Sequence, residues 1–197
     1  MSYSIRTIGE VVGGRLLQLH ADDPIEHLLL DSRRLIFPAT SLFFALRGPR
    51  RDGDRFMEEL YRRGVRNFVV SAAGAPEPSG AAAGQVSAAG AIAAASEPGF
   101  AGAAPLLASM PEANIVLVED SLVALQQLAA WHRKQFSLPV IGITGSNGKT
   151  IVKEWLNQLL EDEYHIIRSP KSYNSQTGVA LSVWQLQSVH ELAIFEA

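Results

Sequence analysis

The residues best suited to chemistry form one short run in the second half of the chain, Thr144-Gly145-Ser146-Asn147-Gly148-Lys149-Thr150. Its two glycines allow the backbone to turn so that several amide groups point at phosphate oxygens. In loops of this type the lysine reaches the β- and γ-phosphates of a nucleotide, and the hydroxyl that follows it binds Mg²⁺. The run therefore predicts a binding site for ATP and Mg²⁺, with Lys149 as its catalytic residue.

The sequence on either side of this loop supports the prediction. The segment from Val140 to Ile143 has the composition of a short strand, and the segment from Lys149 to Leu160 indicates a helix whose N-terminal end would face an anion. The usual pattern, G-x-x-x-x-G-K-[ST], has a glycine where this chain has Ile143. An ordinary glycine turn is the alternative, but Gly-Lys-Thr between a strand and a helix is rarely accidental.

A phosphate loop without the first glycine resembles that of the Mur ligase family, which joins amino acids or peptides to UDP-N-acetylmuramic acid precursors. Further segments carry the resemblance, namely Asp31-Ser32-Arg33, Leu42 to Gly48, Asp52-Gly53, Ser169 to Gly178 and Ala193 to Ala197. The resemblance implies an α/β chain. A small N-terminal α/β domain would bind the UDP part of the substrate, and the start of a parallel-sheet ATPase domain with the phosphate loop would follow.

The resemblance also implies the residues of the site. Those expected to bind the UDP-linked substrate are Asp31, Ser32, Arg33, Gly48 and Asn174. Glu196 would join Thr150 as a ligand of Mg²⁺, because the end of a strand beside a phosphate loop is where a second metal ligand belongs. The family's glycine and two of its asparagines are replaced in one loop by Lys171, Ser172 and Ser175. Asp54 stands where the family often has histidine, so it is assigned no role.

One pair of residues indicates a branch of the family. Lys153-Glu154, on the helix after the phosphate loop, is similar to a Lys-Glu of the branch that adds D-alanyl-D-alanine. From the residues alone this pair would be a solvated helix face. The segments Ser146 to Leu156 and Pro170 to Gln176 resemble a subgroup in which the ligase is fused to an alanine racemase. The implied reaction phosphorylates the terminal carboxylate of UDP-N-acetylmuramoyl-tripeptide with ATP, and the amine of D-alanyl-D-alanine then attacks the acyl phosphate.

Several alternatives stay open at this point. Another Mur-type ligase would add diaminopimelate or lysine instead. A different phosphate-loop enzyme, such as a relative of folylpolyglutamate synthetase, is disfavoured by the segment Asp31-Ser32-Arg33. The chain could also be a non-catalytic module that binds a nucleotide or a UDP precursor. Because the family has three domains, a chain of 197 residues is expected to be an N-terminal fragment that is inactive alone.

Alternating strand and helix patterns predict an α/β fold with a parallel sheet. The expected domains are residues 1–71 for the UDP precursor, 110–138 for the end of that domain and a connecting helix, and 139–197 for the beginning of the ATP-binding domain. Residues 72–109 are expected to form a disordered insertion. Alanine, glycine, proline and serine occupy 30 of its 38 positions, so it cannot bury enough apolar surface to offset the entropy of ordering.

The composition argues against several partners. The net charge is −3, and the basic residues from Arg47 to Arg66 are interleaved with acidic ones, so a solvated helix face is favoured over a nucleic-acid site. The absence of cysteine excludes disulfides and thiolate metal sites. The first residues do not resemble a signal peptide, and no long uninterrupted apolar run predicts a membrane span. A cytoplasmic protein is therefore expected.

Overall fold

The computed structural model describes residues 1–48, 51–72 and 107–197, whose strands form two larger sheets and one two-stranded ribbon. The strands are β1 (Arg15–Gln18), β2 (His27–Leu29), β3 (Ser41–Phe44), β4 (Arg47–Gly48), β5 (Arg51–Asp52), β6 (Asn67–Ser71), β7 (Asn114–Val118), β8 (Val140–Ile143), β9 (Ile166–Arg168) and β10 (Leu192–Glu196). The helices are α1 (Ile5–Val11), α2 (Met57–Arg62), α3 (Ser121–Arg133), α4 (Lys149–Leu160) and α5 (Gln176–Trp184). Two 3₁₀ turns span Ser32–Arg34 and Gly53–Phe56.

The first sheet has the strand order β1-β7-β6-β3-β2. All its neighbours run parallel except β1, which is antiparallel to β7. Every residue of β3 and β6 is buried, as expected for central strands covered on both faces. One face packs against α1 and α3, and the other packs against α2.

The second sheet contains β8, β10 and β9 in that order, all parallel. Helix α4 connects β8 to β9, and α5 connects β9 to β10. The central strand β10 is buried along its whole length, and its last residue, Glu196, lies opposite Ile143 at the end of β8. The carboxyl ends of these strands therefore meet beside the phosphate loop. The predicted α/β class with parallel sheets is confirmed.

Local signals account for most of the element ends. Ser4, Asp120 and Ser175 each accept a hydrogen bond from a backbone amide in the first turn of the helix that follows, so each acts as an N-cap. The sequence pattern predicts a strand from Tyr164 to Ile167, but β9 begins two residues later, at Ile166. The amide of Tyr164 donates to the carbonyl of Leu160 at 3.0 Å, which keeps Tyr164 in the turn that ends α4.

The two sheets share a core through helix α5. Ala180 and Trp184 of α5 belong to the same apolar cluster as Leu125 and Leu128 of α3, so the predicted ATP-binding segment packs directly on the connecting helix. His132, at the end of α3, lies 1 % exposed within this contact. Its ring meets those of Tyr3, Phe136 and Trp184. His132 is therefore a packing residue.

The predicted insertion falls mostly outside the described residues, which resume at residue 107. Residues 107–109 have helical backbone, and Leu107 packs on the cluster around Phe68 and Met110. The Ala-rich composition near residues 88–95 would also permit a helix in place of disorder. That segment lies outside the described residues as well. No helix among the described residues is long and apolar enough to cross a membrane.

Candidate functional site

The phosphate loop leaves β8 and enters α4 through two glycines in the left-handed half of backbone space. Gly145 has φ 143° and Gly148, the N-cap of α4, has φ 77°, and side chains rarely accept such angles. The ammonium of Lys149 donates to the carbonyl oxygen of Gly145 at 2.6 Å, so it lies folded across the loop. The predicted lysine, glycines and helix N-terminus are therefore assembled around one concave stretch of backbone.

Glu196 ends the central strand beside this loop, and its carboxylate is 1 % exposed. Thr150 Oγ1 donates to Oε2 of Glu196 at 2.9 Å and lies 3.2 Å from Oε1. Asn174 Nδ2 donates to Oε1 at 3.1 Å. The backbone amide of Glu196 donates to Ser169 Oγ at 3.1 Å. Residues from the phosphate loop, the strand end and the loop after β9 thus converge on one carboxylate.

Lys153 also reaches this carboxylate, and here the expectation of a solvated helix face was wrong. Its side chain is fully buried, and its Nζ lies 3.6 Å from Oε2 of Glu196. The same ammonium donates to the carbonyl of Lys171 and lies 3.4 Å from Oε1 of Glu154. Glu154 itself is more exposed and pairs with Arg168 at 3.1 Å. The buried lysine therefore ties α4, β10 and the loop after β9 together.

A signal for Lys153 was present in the sequence. Lys153 lies three residues after Thr150 and precedes Leu156 and Leu160 by three and seven residues, which is the spacing of one helix face. In the structure Leu156 and Leu160 pack on the core of the second sheet. The face that begins with the metal-ligand candidate continues into the core, so helical spacing places Lys153 on the inward side of α4 without identifying the carboxylate that it meets.

The loop from Ser169 to Ser175 departs from the family pattern at Lys171. Lys171 has φ 52°, the left-handed conformation that favours the glycine found there in the family. Its carbonyl accepts from Lys153, so the backbone geometry at this position serves a contact in the site. Ser175 ends the loop by capping α5.

Three of the residues expected to bind UDP, Asp31, Ser32 and Arg33, follow the end of β2. Asp31 caps the 3₁₀ turn by accepting from the amide of Arg33 at 3.1 Å. The Arg33 side chain donates to both carboxylate oxygens of Asp31, at 2.9 and 2.7 Å, and these hydrogen bonds hold the pKa of Asp31 at about 2. Ser32 is buried, and its carbonyl accepts from Arg63 at 2.9 Å. Gly48 belongs to the short ribbon of β4 and β5.

The structure separates the predicted UDP residues into two places. Asp31, Ser32 and Arg33 lie together on the turn after β2, whereas Asn174 contacts Glu196 on the phosphate-loop side. The neighbouring residues bridge the two places, because Arg34 donates a hydrogen bond to the Tyr173 hydroxyl and lies 5.9 Å from the centre of its ring. The contact does not follow from the sequence, because no spacing rule joins residues 139 positions apart.

A cavity of about 620 Å³ opens beside the Arg34–Tyr173 contact. Its wall includes Glu26, His27 and Trp184, with Ile167 from β9. This volume lies within the range of small-molecule sites. The first sheet and the ATP-binding segment therefore enclose room for a mid-sized ligand next to the loop that reaches Glu196.

The part of the chain that holds this site is similar to a known protein family. The profile of the Mur ligase middle domain matches residues 143–197, which hold the phosphate loop, Lys153 and Glu196. This part of the chain is similar to the middle domain of the Mur ligase family. The family resemblance stated from the sequence is thereby confirmed.

Relatives of the Mur ligase family align with nearly the whole chain. The UDP-N-acetylmuramoyl-tripeptide–D-alanyl-D-alanine ligase of Bacillus subtilis is 28 % identical over 98 % of this chain and 35 % of its own length. The ligase of the same name from Synechocystis is 31 % identical over 98 % of this chain, again with 35 % of its length covered. The chain thus spans about a third of the curated relatives it matches.

Solved structures show the same fold. MurF from Acinetobacter baumannii superposes with a TM-score of 0.74 at 24 % identity, covering all of this chain and 36 % of that one. MurF from Thermotoga maritima, solved in complex with ADP, superposes with a TM-score of 0.59 at 24 % identity, covering 87 % of this chain and 31 % of that one. At this identity the likeness supports the fold alone.

The oxygen donors of residues 143–197 suit Mg²⁺. Thr150 and Glu196 offer a hydroxyl and a carboxylate that already touch, and hard oxygen ligands are what Mg²⁺ prefers. Among the described residues there is no group of three or more His, Cys, Asp or Glu side chains that could hold a metal. Most coordination positions would be left to phosphate oxygens and water, which is the usual state of Mg²⁺ bound with a nucleotide.

Proposed function

We propose that the chain is part of an ATP-dependent ligase that adds D-alanyl-D-alanine to UDP-N-acetylmuramoyl-tripeptide in peptidoglycan precursor synthesis. The observation that carries the proposal is the convergence of Thr150, Lys153 and Asn174 on Glu196 beside a phosphate loop. The relatives from Bacillus subtilis and Synechocystis that bear this activity in their names support the choice of branch. Because the chain spans about a third of their length, the activity is proposed for the whole protein.

Lys149 and the loop from Thr144 to Thr150 are the proposed ATP site. In the first step a carboxylate oxygen of the tripeptide attacks the γ-phosphorus, and the bond from that phosphorus to ADP breaks. Negative charge grows on the transferring phosphoryl group, and the loop amides with the Lys149 ammonium would stabilise it. For this role Lys149 must leave the carbonyl of Gly145, a rearrangement that needs only side-chain rotation.

Thr150 and Glu196 would hold Mg²⁺. When bound, the ion supplies positive charge to the β- and γ-phosphate oxygens and orients them for transfer. Asn174 would orient the Glu196 carboxylate, since its amide donates to Oε1 while Thr150 makes its shorter contact with Oε2. Asn174 would then contact the substrate beside the transferring phosphate rather than at the UDP part. In the second step the amine of D-alanyl-D-alanine attacks the acyl carbon, loses a proton, and phosphate leaves.

The turn of Asp31, Ser32 and Arg33 is the proposed site for the UDP part, and Gly48 of the β4–β5 ribbon is proposed to contribute to it. Arg33 supports this role because its side chain is 87 % exposed while Asp31 orients it, so its outer N–H groups are available to phosphate. The proposal includes a cytoplasmic location, because ATP is a substrate. Fusion to an alanine racemase stays a prediction, which the coding sequence after residue 197 would test.

Isothermal titration calorimetry with the 197-residue chain tests the two sites separately. We expect Mg·ATP to bind the wild type and Lys134→Ala, an exposed-lysine control, and to bind Lys149→Ala at least about tenfold more weakly. We expect UDP-N-acetylmuramoyl-tripeptide to bind the wild type and to be weakened by Arg33→Ala. Equal ATP affinity of Lys149→Ala would contradict the loop assignment. In the whole protein, ligation of diaminopimelate or lysine in place of D-alanyl-D-alanine would contradict the branch.

A further inference from the structure

A buried ammonium lies against the carboxylate proposed to bind the metal. Lys153 is fully buried, and its Nζ is 3.6 Å from Oε2 of Glu196, the oxygen to which Thr150 donates. A metal ion bound at this oxygen would be a second positive charge beside the Lys153 ammonium, and the two charges would repel one another. A divalent cation that approached Thr150 and Glu196 would therefore meet the field of Lys153 at close range.

The charges around this point balance without any added ion. Lys153 pairs with Glu196 and Glu154, and Arg168 pairs with Glu154, so two cations face two carboxylates. Only Glu196 among these acids is fully buried. A free divalent cation would thus enter a neutral cluster with one buried carboxylate and one hydroxyl as protein ligands, which is a poor site for an ion that is costly to dehydrate.

A nucleotide changes this balance. Its phosphates bring several negative charges to the loop from Thr144 to Thr150, and Mg²⁺ arrives already bound to their oxygens. The cation then no longer depends on Glu196 for charge neutralisation. The same ammonium that disfavours the free ion is compatible with the ion–nucleotide complex.

We propose that Lys153 is a positioning residue that prevents the Thr150–Glu196 pair from taking up a divalent cation unless a nucleotide carries it. The inference rests on the proposed function, because it takes Glu196 as a metal ligand. Lys153 also fixes the geometry of the pair, since it donates to the carbonyl of Lys171 in the loop that carries Asn174. Lys153 thus both repels a free divalent cation and holds the Thr150–Glu196 pair in place.

Binding of Mn²⁺ to the nucleotide-free 197-residue chain, measured by electron paramagnetic resonance of the free ion, tests the proposal. The wild type is expected to bind Mn²⁺ weakly. Lys153→Met, which keeps nearly the length of the side chain, and Lys153→Gln, which keeps a donor for Lys171, should each bind it at least about tenfold more tightly, because each removes a buried positive charge 3.6 Å from the carboxylate proposed to bind the ion. Lys134→Met, an exposed-lysine control of the same charge change, should equal the wild type.

Two further variants separate the inference from the proposed function. In Lys153→Met the added substitution Glu196→Gln should abolish the gain in Mn²⁺ affinity. In the wild type Glu196→Gln should weaken binding of Mn·ATP. If Glu196→Gln weakens Mn·ATP but neither Lys153 variant binds free Mn²⁺ more tightly, the role of Lys153 is overturned while the site stands. If Glu196→Gln leaves Mn·ATP binding unchanged, both proposals are overturned. Circular dichroism and thermal unfolding check that each variant is folded.

Discussion

Thr150 Oγ1 lies 2.9 Å from Glu196 Oε2, although the two residues are 46 positions apart in the chain. One follows the phosphate loop at the start of α4, and the other ends the adjacent strand β10. The parallel pairing of β8 with β10 brings them together, because it places Glu196 opposite Ile143, the last residue before the loop. The contact therefore depends on the sheet rather than on any local feature.

The first prediction concerns this hydroxyl. Thr150→Val keeps the shape of the side chain but removes the group that touches Glu196 and is proposed to bind Mg²⁺. We expect the affinity for Mg·ATP to fall about tenfold, since a hydrogen bond or ligand contact to a charged group is lost. Calorimetric titration measures the change. Thr150→Ser, which retains the hydroxyl, should stay within about threefold of the wild type, and equal loss in both variants would contradict the role of the hydroxyl.

The second prediction concerns the left-handed backbone at Lys171, which has φ 52°. Glycine relieves a strain of about 1–2 kcal/mol at such an angle, while its greater freedom in the unfolded chain costs about 0.5–1 kcal/mol. Lys171→Gly should therefore raise the free energy of unfolding by about 0.5–1 kcal/mol, measured by urea denaturation. Lys171→Ala removes the same side chain without relieving the angle. A gain of equal size in Lys171→Ala would show that the side chain, not the backbone, is the cause.

The third prediction is a pH dependence of stability through His132. Its Nε2 lies 3.2 Å from the carbonyl of Leu186, which can only accept, so Nε2 carries the proton and Nδ1 accepts from the Tyr3 hydroxyl at 2.8 Å. Burial lowers the pKa of His132 below its ordinary value of 6.5. The unfolded chain therefore binds the proton more readily, and stability should fall as the pH drops below 6.5 towards the folded-state pKa.

Chemical denaturation of the wild type and His132→Gln between pH 5.5 and 7.5 measures this effect. Glutamine does not titrate, so the pH dependence should be smaller in the variant. The pKa of His190 is also lowered, first by burial and then by the charge of His165, so part of the dependence should remain. An unchanged slope in His132→Gln would show that His132 does not contribute.

The fourth prediction concerns the contact between Arg34 and Tyr173, which joins the proposed UDP side to the loop that reaches Glu196. A double-mutant cycle with Arg34→Ala and Tyr173→Ala should give a coupling of about 0.5–1 kcal/mol in the free energy of unfolding, the range for a partly exposed polar and cation–π contact. The matched cycle of Arg33→Ala with Tyr173→Ala should be additive. Additivity in both cycles would mean that the contact contributes nothing in solution.

Much of the architecture follows from local patterns. The segments β8 and α4 have the predicted bounds because a short apolar run meets a glycine loop and then residues with helical spacing. The caps of α3 and α5 are equally local, since the side chains of Asp120 and Ser175 accept from amides two or three residues later. The start of β9 was less certain, because the turn that ends α4 holds Tyr164 by a backbone hydrogen bond that side-chain patterns do not reveal.

The sequence by itself determined the phosphate loop, because loop glycines, a lysine and a hydroxyl act within seven consecutive positions. The family resemblance of the segment from Ala193 to Ala197 also indicated Glu196. Only the tertiary structure decided that Lys153 is buried against Glu196 and that Asn174 lies on the phosphate side rather than with Arg33. These contacts join residues from separate helices, strands and loops. Their distances follow from how the second sheet and α5 pack, and no short-range spacing specifies that packing.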